Sequence, residues 1–556
     1  MPDRNNGIPY PALYNLADML SYARGPELPL LERTISQVLE EAAERNPAGD
    51  ALISRHQGLR LSYRDLQQQV QSTARGLWGL GIRPGDRVGM WAANCAEWIY
   101  LQVATARIGA VLVNVNPAYR SHELGFVLRK SGMKAIFLHE HDTRANYLEI
   151  LEEARRGQDL CLAHAIRLGT DSWTSMLENG IEPAPHAAGI HDVVNIQYTS
   201  GTTGSPKGVL LTHRNLVNNG YLVGRQMRVS QRDRVCAPVP MYHCFGCVMA
   251  SLMCLVHRAA LVLPSPQFDA LAALETVQAE RCTALYGVPT MFIAELEHPR
   301  FREFDLSSLR TGIMAGAPCP VEVLRRVVAE MHCSEITVAY GQTESSPVVT
   351  MSNCDDDLDV RVSTVGRAMP ETEIRIVSRG DGETVEAGER GELCVRGYMV
   401  MKGYDGEPEA TVRAIDSEGW LHTGDLATMR TDGCFHIAGR LKEMIIRGGE
   451  NVYPREIEEF LHGHPKIADV YVVGLPDERL GETVLAWIKL KAGETAAEDE
   501  IREFCRGRIA HFKIPQYIRF IESFPMTVTG KVQKFRIRDH EIEARGLQRA
   551  ASIQTA

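Results

Sequence analysis

Apolar residues recur along the chain in two alternating rhythms. Ile35, Val38, Leu39 and Ala42 lie three and four apart, the spacing of one helix face, before a stop at Asn46-Pro47. Ser62 offers an N-cap with Asp65 three residues on, which predicts a helix through Leu66, Val70 and Leu77 that ends near Gly81. Pro84-Gly85-Asp86 then turns the chain into a strand-like run from Val88 to Trp91. A helix through Trp98, Leu101 and Ala104 follows, and after it the apolar run Ala110 to Val115. Strands alternating with helices predict a parallel α/β sheet with helices on its faces. Between Gly169 and Ile190 the periodicity is lost while Gly, Ser, Pro and Ala gather, so this segment reads as a connector.

The next apolar run, Val193, Val194, Ile196 and Tyr198, reads as a buried strand leading into a loop that ends at Gly208. Thr212 is placed to cap a helix. Val235 to Pro240 reads as a short strand delivering Met241-Tyr-His-Cys-Phe-Gly246. Ala284 to Pro289 and Gly312 to Pro318 are apolar runs that end in Gly/Pro turns, the strand ends that ligands favour in α/β sheets. From about Glu371 the rhythm shortens, through Ile374 to Val377 and Glu392 to Arg396, which predicts an antiparallel or barrel-like part. A compact mixed unit follows Gly439-Arg-Leu-Lys442. Its expected elements are a helix from Pro454 carrying Ile457, Phe460 and Leu461, strands Asp469 to Val473 and Val484 to Leu490, and a helix carrying Ile501, Phe504 and Ile509. The expected organisation is α/β: a large domain of doubly wound sheets over residues 1–440, strand-rich from about 371 to 440, and a small mobile α+β domain over 441–556.

Composition narrows the function. The chain has 556 residues, 44% of them hydrophobic and 23% charged, the balance of a globular protein with ample core. A net charge of -10 supplies no basic field for nucleic acid. The longest apolar stretch, Gly246 to Val256, contains Ser251 and falls well short of the roughly twenty residues that span a bilayer. The N-terminus shows neither a secretory h-region nor an Arg-rich transit pattern. Thirteen scattered cysteines, an odd number, point to reduced thiols in a cytoplasmic setting. Cys244 and Cys247 form a lone C-x-x-C beside His243, and without a second pair at metal-site spacing they read as small core side chains. The oligomeric state, a homodimer included, stays open.

Candidate chemistry centres on Thr199, Ser200, Gly201, Thr202, Thr203, Gly204, Ser205, Pro206, Lys207 and Gly208. The glycines permit backbone angles that let successive N–H groups converge on an anion, and hydroxyls and one lysine add donors. This is the composition of a phosphate cradle. It is not a Walker loop, because Pro206 precedes the lysine and Gly208 follows it, where that motif needs Gly-Lys-Ser/Thr opening a helix.

Read with Tyr340-Gly341-Gln-Thr343-Glu344, Gly419-Trp-Leu-His-Thr-Gly-Asp425, Gly439-Arg440-Leu-Lys442 and Pro525-Met-Thr-Val-Thr-Gly-Lys531, in that order, the loop resembles the motif set of adenylate-forming enzymes from about residue 30 to 540. Within that family, Asn195-Ile-Gln-Tyr-Thr, Arg447-Gly-Gly-Glu-Asn-Val-Tyr-Pro454 and His511-Phe-Lys-Ile-Pro515 are most similar to medium-chain acyl-CoA synthetases. The resemblance implies a ligase that joins a carboxylic acid, medium-chain or branched, to coenzyme A through an acyl-adenylate, using ATP and Mg2+.

It further implies that Glu344 holds the magnesium ion, that Thr343 reaches the α-phosphate, and that Tyr340 stacks on adenine beside Gly316, Ala317 and Pro318. Asp425 and Arg440 would hold the ribose, Lys442 would be the hinge, and Lys531 would contact carboxylate and α-phosphate during adenylation. Gly448 and Gly449 would let the pantetheine pass, although a plain surface turn fits them nearly as well. Tyr242, His243, Phe245, Val248 and Tyr286 are the expected acyl-pocket walls, with a core histidine the even alternative for His243. Alone, Thr343-Glu344 would read as a helix start, Asp425 as a turn residue and Tyr340 as core; the ordered set carries the functional reading. Three alternatives stay open. The first is an amino- or aryl-acid adenylating enzyme; an amino-acid adenylation domain normally carries a pocket aspartate for the substrate ammonium, where this chain shows apolar residues around His243, and no carrier-protein serine motif follows Lys531. A luciferase-like oxygenase would emit light, and a non-catalytic nucleotide-binding module would release no pyrophosphate.

Overall fold

In the computed structural model of the protein, the described residues are 20–551, apart from 143–144, 185, 187, 200–205, 317–318, 320, 379, 441–444, 453, 526–531 and 533. Helix starts are set locally. Thr34, Ser62 and Thr212 each accept the N–H of the third helical residue, and Gln37, Asp65 and Asn215 answer by accepting the N–H of the cap. These reciprocal caps open the helices Ile35–Arg45, Tyr63–Gly79 and His213–Gln226, each cap contributing about 1 kcal/mol.

Two large sheets form the N-terminal part. One has seven strands in the spatial order Gly403–Tyr404, Lys207–Thr212, Val193–Thr199, Val111–Asn114, Arg87–Trp91, Ala135–Leu138 and His164–Arg167. Its last five strands run parallel; Lys207–Thr212 pairs antiparallel to both of its neighbours. The other has nine strands, with the parallel series Glu335–Gly341, Thr311–Ala315, Ala284–Gly287, Arg234–Cys236 and Ala260–Leu263 at its centre. Residues from both sheets share one apolar core with the helices Tyr63–Gly79 and Ala96–Arg107, and it reaches a five-stranded antiparallel sheet that includes Thr372–Val377, Gly391–Gly397 and Leu421–Met429. From Ile445 on, a further five-stranded sheet carries its own core of Ile445, Val452, Ile457, Val470, Val484 and Ile501 among others.

Three expectations are corrected. The stretch from Gly169 to Ile190 is not a bare connector: Thr170 caps a helix Asp171–Glu178, whose Trp173 and Met176 are buried. Two buried residues three apart are too few to set a period, and the helix seats on Gly76, where a Cβ would come within 3.0 Å of Met176. The helix carrying Ile501 and Phe504 ends at Cys505, because Gly507 takes φ +72° and reverses the chain, so buried Ile509 belongs to the following turn. The strand expected over Val235 to Pro240 is only Arg234–Cys236; Pro238 and Pro240 bring no N–H to pair.

The apolar run from Gly246 folds as a buried π-helical segment Phe245–Leu252 continued by the helix Met253–His257. Among the described residues, no helix is long and apolar enough to cross a membrane. All thirteen cysteines are free. Cys247 Sγ accepts from Asn114 Nδ2 at 3.6 Å and Gln197 Nε2 at 3.5 Å, a core contact rather than a ligand set.

Candidate active site

The strands Val193–Thr199 and Lys207–Thr212 form an antiparallel hairpin with Tyr198 opposite Gly208 and Thr199 opposite Lys207. Residues 200–205, which lie outside the described residues, connect its two strands, and Lys207 opens a strand rather than a helix. Across from this hairpin the strand Glu335–Gly341 ends in a short turn, Thr343–Ser345. Gly341 is required there, since a Cβ would lie 1.8 Å from the Pro347 carbonyl oxygen. The turn aims Glu344 back at the hairpin: Thr199 Oγ1 donates to Glu344 Oε1 at 3.3 Å and Tyr404 Oη to the same oxygen at 3.0 Å. Lys207 Nζ sits 4.7 Å from the centre of the Tyr404 ring. The foot of the loop and the Glu344 carboxylate are thereby held together by Tyr404.

The second polar group gathers around Asp425, which is buried and accepts from Tyr340 Oη at 2.6 Å. Asp425 lies opposite Arg440 in the sheet register; the Arg440 side chain is outside the described residues. The turn before Asp425 is fixed from two sides. Glu392 Oε1 accepts the Gly424 N–H at 3.0 Å, and Thr423 Oγ1 accepts from Asp425 N and donates to Leu393 O. His422 Nδ1 meets Cys394 Sγ at 3.4 Å and Glu392 Oε2 at 3.0 Å, contacts that raise the imidazole pKa to about 10. Carboxylate, thiol and imidazole satisfy one another, and this accounts for their cluster. Gly316, with φ +83°, ends the strand Thr311–Ala315. Ala317, Pro318, Lys442 and Lys531 lie outside the described residues.

The C-terminal part closes the site from the other side. Its hairpin, Ile445–Arg447 and Glu450–Val452, turns at Gly448 and Gly449. Gly449 has φ +84° and lies against Val288, where a Cβ would be 3.0 Å from Cγ1, so a larger residue would be both strained and crowded. Beside it Glu450 accepts from Tyr242 Oη at 2.7 Å, and its other oxygen is 3.4 Å from His243 Nε2. Further along, Lys513 Nζ is 3.0 Å from Glu123 Oε1 and also bonds Glu456, while Ala510 N donates to Glu123. Burial alone would lower the Lys513 pKa, but the Glu123 and Glu456 carboxylates outweigh it and hold the ammonium above its ordinary range.

Two cavities meet here. A small one of about 60 Å³ is lined by Thr199, Thr343, Tyr242, His243 and Glu450. A larger one of about 440 Å³ runs between the two parts past Arg447, Gly448 and Phe512. Of the expected acyl walls, Tyr242 and His243 face the small cavity. Phe245 is half-buried, its ring 5.7 Å from that of Tyr286, whereas Val248 and Tyr286 are fully buried and line neither cavity; Tyr286 Oη meets Met227 Sδ instead.

The model of the AMP-binding enzyme family matches residues 39–405, and that of the AMP-binding enzyme C-terminal domain matches 456–531. The chain belongs to the AMP-binding enzyme family. Among its relatives, a putative acyl-CoA synthetase, YngI, of Bacillus subtilis is 46% identical over 92% of this chain and 98% of its own. The mitochondrial medium-chain acyl-CoA ligase ACSF2 of Homo sapiens is 41% identical over 94% of this chain and 89% of its own. Among solved structures, a variant of o-succinylbenzoate CoA synthetase (MenE) from Bacillus subtilis, bound with its product analogue, superposes with a TM-score of 0.80. It is 25% identical and covers 92% of this chain and 99% of its own.

In this AMP-binding enzyme the donor set around Glu344, an anionic oxygen flanked by two neutral hydroxyls, would suit a hard cation. Sequence reasoning missed three residues that the fold brings to the site. Tyr404 sits in a two-residue strand, Glu392 acts through a turn, and Glu450 reaches a partner more than two hundred positions away. Only Glu450 left a signal, its place beside Gly448-Gly449.

Proposed function

We propose that this AMP-binding enzyme activates a carboxylic acid with ATP and transfers the acyl group to coenzyme A, releasing AMP and pyrophosphate. The observation that supports the reading is the meeting of the side formed by Thr199, Lys207 and Glu344, here assigned to phosphate, with a cavity between the two parts that Gly448 and Glu450 help to line. In the first half-reaction the residues 199–207 receive the β- and γ-phosphates, Thr343 the α-phosphate, Tyr340 and Gly316 to Pro318 the base, and Asp425 and Arg440 the ribose. Glu344 would hold a magnesium ion, which neutralises phosphate charge. Lys531 stabilises charge on carboxylate and α-phosphate in the transition state.

In the second half-reaction the thiol enters past Gly448 and Gly449. The two sets of groups take turns through rotation of residues 441–556 against 1–440 about Lys442. The contact of Glu450 with Tyr242 and His243 supports assigning the present arrangement to the thiol-accepting step. The acid is a medium-chain or branched fatty acid, a reading supported by the medium-chain acyl-CoA ligase name of the ACSF2 relatives. The free thiols favour a reducing compartment such as the cytoplasm.

The test follows AMP formation with coenzyme A across straight, branched and aromatic acids. Highest kcat/KM on straight or branched acids of medium length is expected; preference for an aryl or amino acid would overturn the substrate reading. Lys531→Ala should lower adenylation by about 10²- to 10³-fold, the scale of one preorganised donor, while thiolysis of supplied acyl-adenylate persists. Equal loss of both half-reactions would remove Lys531 from its role.

A further inference from the structure

The second half-reaction must remove a proton from the thiol, and among the described residues none of those assigned above to the nucleotide lines the larger cavity from which the thiol enters. Glu450 stands on that side. It belongs to the C-terminal hairpin, next to the Gly449 tip, yet among the described residues its carboxylate bonds Tyr242 at 2.7 Å and His243 at 3.4 Å, both of the N-terminal part. Asn116, Tyr242, Glu450 and Phe512 line both cavities, so the pair of Tyr242 and Glu450 stands where the thiol-side cavity meets the space beside Thr199 and Thr343.

Resting on the coenzyme A reading above, we propose that His243 and Glu450 form a base dyad that takes the thiol proton in the second half-reaction. Glu450 accepts the His243 Nε2–H, which leaves Nδ1 as the proton acceptor and stabilises the imidazolium that forms. The S–H bond breaks with its proton going to His243. The sulfur bonds the acyl carbon, and the carbon–oxygen bond to AMP breaks with its electron pair leaving on the phosphate. The same rotation that admits the thiol delivers the carboxylate, so the base is complete only when there is a thiol to deprotonate.

The electrostatics agree. Burial alone would raise the Glu450 pKa, but His243, the Tyr242 hydroxyl and His511 outweigh it and keep the carboxyl below its ordinary range. Among the other titratable groups lining the two cavities beside Glu450 are Arg120, Asp142, Arg447 and His511 on the thiol side and Tyr119, pushed up by burial, with the Lys513 ammonium beside it, on the other. Tyr119 is protonated near neutral pH and Lys513 is paired with two carboxylates, so neither competes as a base, while His511 helps to hold the Glu450 carboxyl below its ordinary range.

The experiment supplies a synthetic fatty acyl-adenylate to the full-length enzyme in single turnover. It compares coenzyme A with hydroxylamine, a nucleophile that attacks as its neutral form without a base. Glu450→Gln should slow thiolysis by about 10²-fold and make its rate climb with pH towards the ionisation of the thiol itself, while hydroxylaminolysis changes less than about threefold. His243→Gln should show the same pH signature. If thiolysis and hydroxylaminolysis fall by the same factor, or if thiolysis keeps its wild-type rate and pH profile in both variants, the dyad is overturned. If the wild-type enzyme discharges the adenylate to hydroxylamine but to no thiol, the coenzyme A reading itself fails, a result distinct from failure of the dyad.

Discussion

At Glu344 a single carboxylate oxygen carries two hydroxyl donors, Tyr404 at 3.0 Å and Thr199 at 3.3 Å. Tyr404 also offers its ring to Lys207, so one side chain sets the distance between the lysine at the foot of the phosphate loop and the carboxylate proposed for magnesium. Tyr404→Phe keeps the ring and deletes the hydroxyl. One hydrogen bond of about 0.5–1.5 kcal/mol corresponds to a rise of about 2- to 12-fold in half-saturating Mg2+ for pyrophosphate release. The KM for the acid should stay unchanged, and an unaltered Mg2+ titration would show that Thr199 alone orients Glu344. The residues of this site differed in how legible they were. Glu344, Thr343 and Asp425 stand in ordered motifs and could be named from sequence. Tyr404 and Glu392 act on them through space, from strands whose local pattern says only that they pair.

Among the elements, the helix starts were the most legible feature, because a cap is a contact between residues three apart: Ser62 with Asp65 and Thr212 with Asn215. The helix Asp171–Glu178 was hidden because its stability comes from docking on Gly76 and not from its own periodicity. Docking of this kind also creates a pH dependence. His213, at the start of the helix His213–Gln226, is buried and its Nδ1 accepts the Ile35 N–H at 3.1 Å, tying one helix N-terminus to another. His257 is similarly enclosed and meets the Tyr221 carbonyl at 2.8 Å through Nε2.

Burial lowers both pKa values to about 4. An unfolded histidine titrates near 6.5, so between about 6.5 and 4 the unfolded chain binds more protons than the native one. Their contribution is therefore intact above about pH 6.5 and is lost as pH falls towards 4, by up to roughly 3 kcal/mol each. The urea midpoint should drop from pH 7.5 to pH 5, and His213→Gln should flatten that drop, whatever it does to stability at pH 7.5. An equally steep drop in the variant would locate the titration elsewhere.

For the whole molecule, the contact between the N- and C-terminal parts was the least legible. Its partners lie 207 positions apart for His243 and Glu450 and 390 apart for Glu123 and Lys513, and no local pattern announces them. Lys513 is buried to 4% side-chain exposure between Glu123 of the N-terminal part and Glu456 of the C-terminal part, so under the proposed rotation it would act as a latch for this arrangement. Lys513→Met would leave two carboxylates facing each other without their cation. Breaking a buried pair from one side costs about 3–5 kcal/mol, and rotation offers the carboxylates an escape to solvent that relieves part of it. The arrangement proposed for thiol entry should therefore lose population, and single-turnover thiolysis should fall by about 10- to 100-fold, a shift of roughly 1.4–2.7 kcal/mol. ATP–pyrophosphate exchange, for which Lys531 is proposed in the other arrangement, should hold or rise. The pH separates this latch from the dyad: raising the pH should restore thiolysis to Glu450→Gln, whose defect is an unremoved proton, and should not restore it to Lys513→Met, whose defect is a population. Recovery of both variants with pH, or of neither, would mean that the two contacts do one job and that the division between seating and proton removal is wrong.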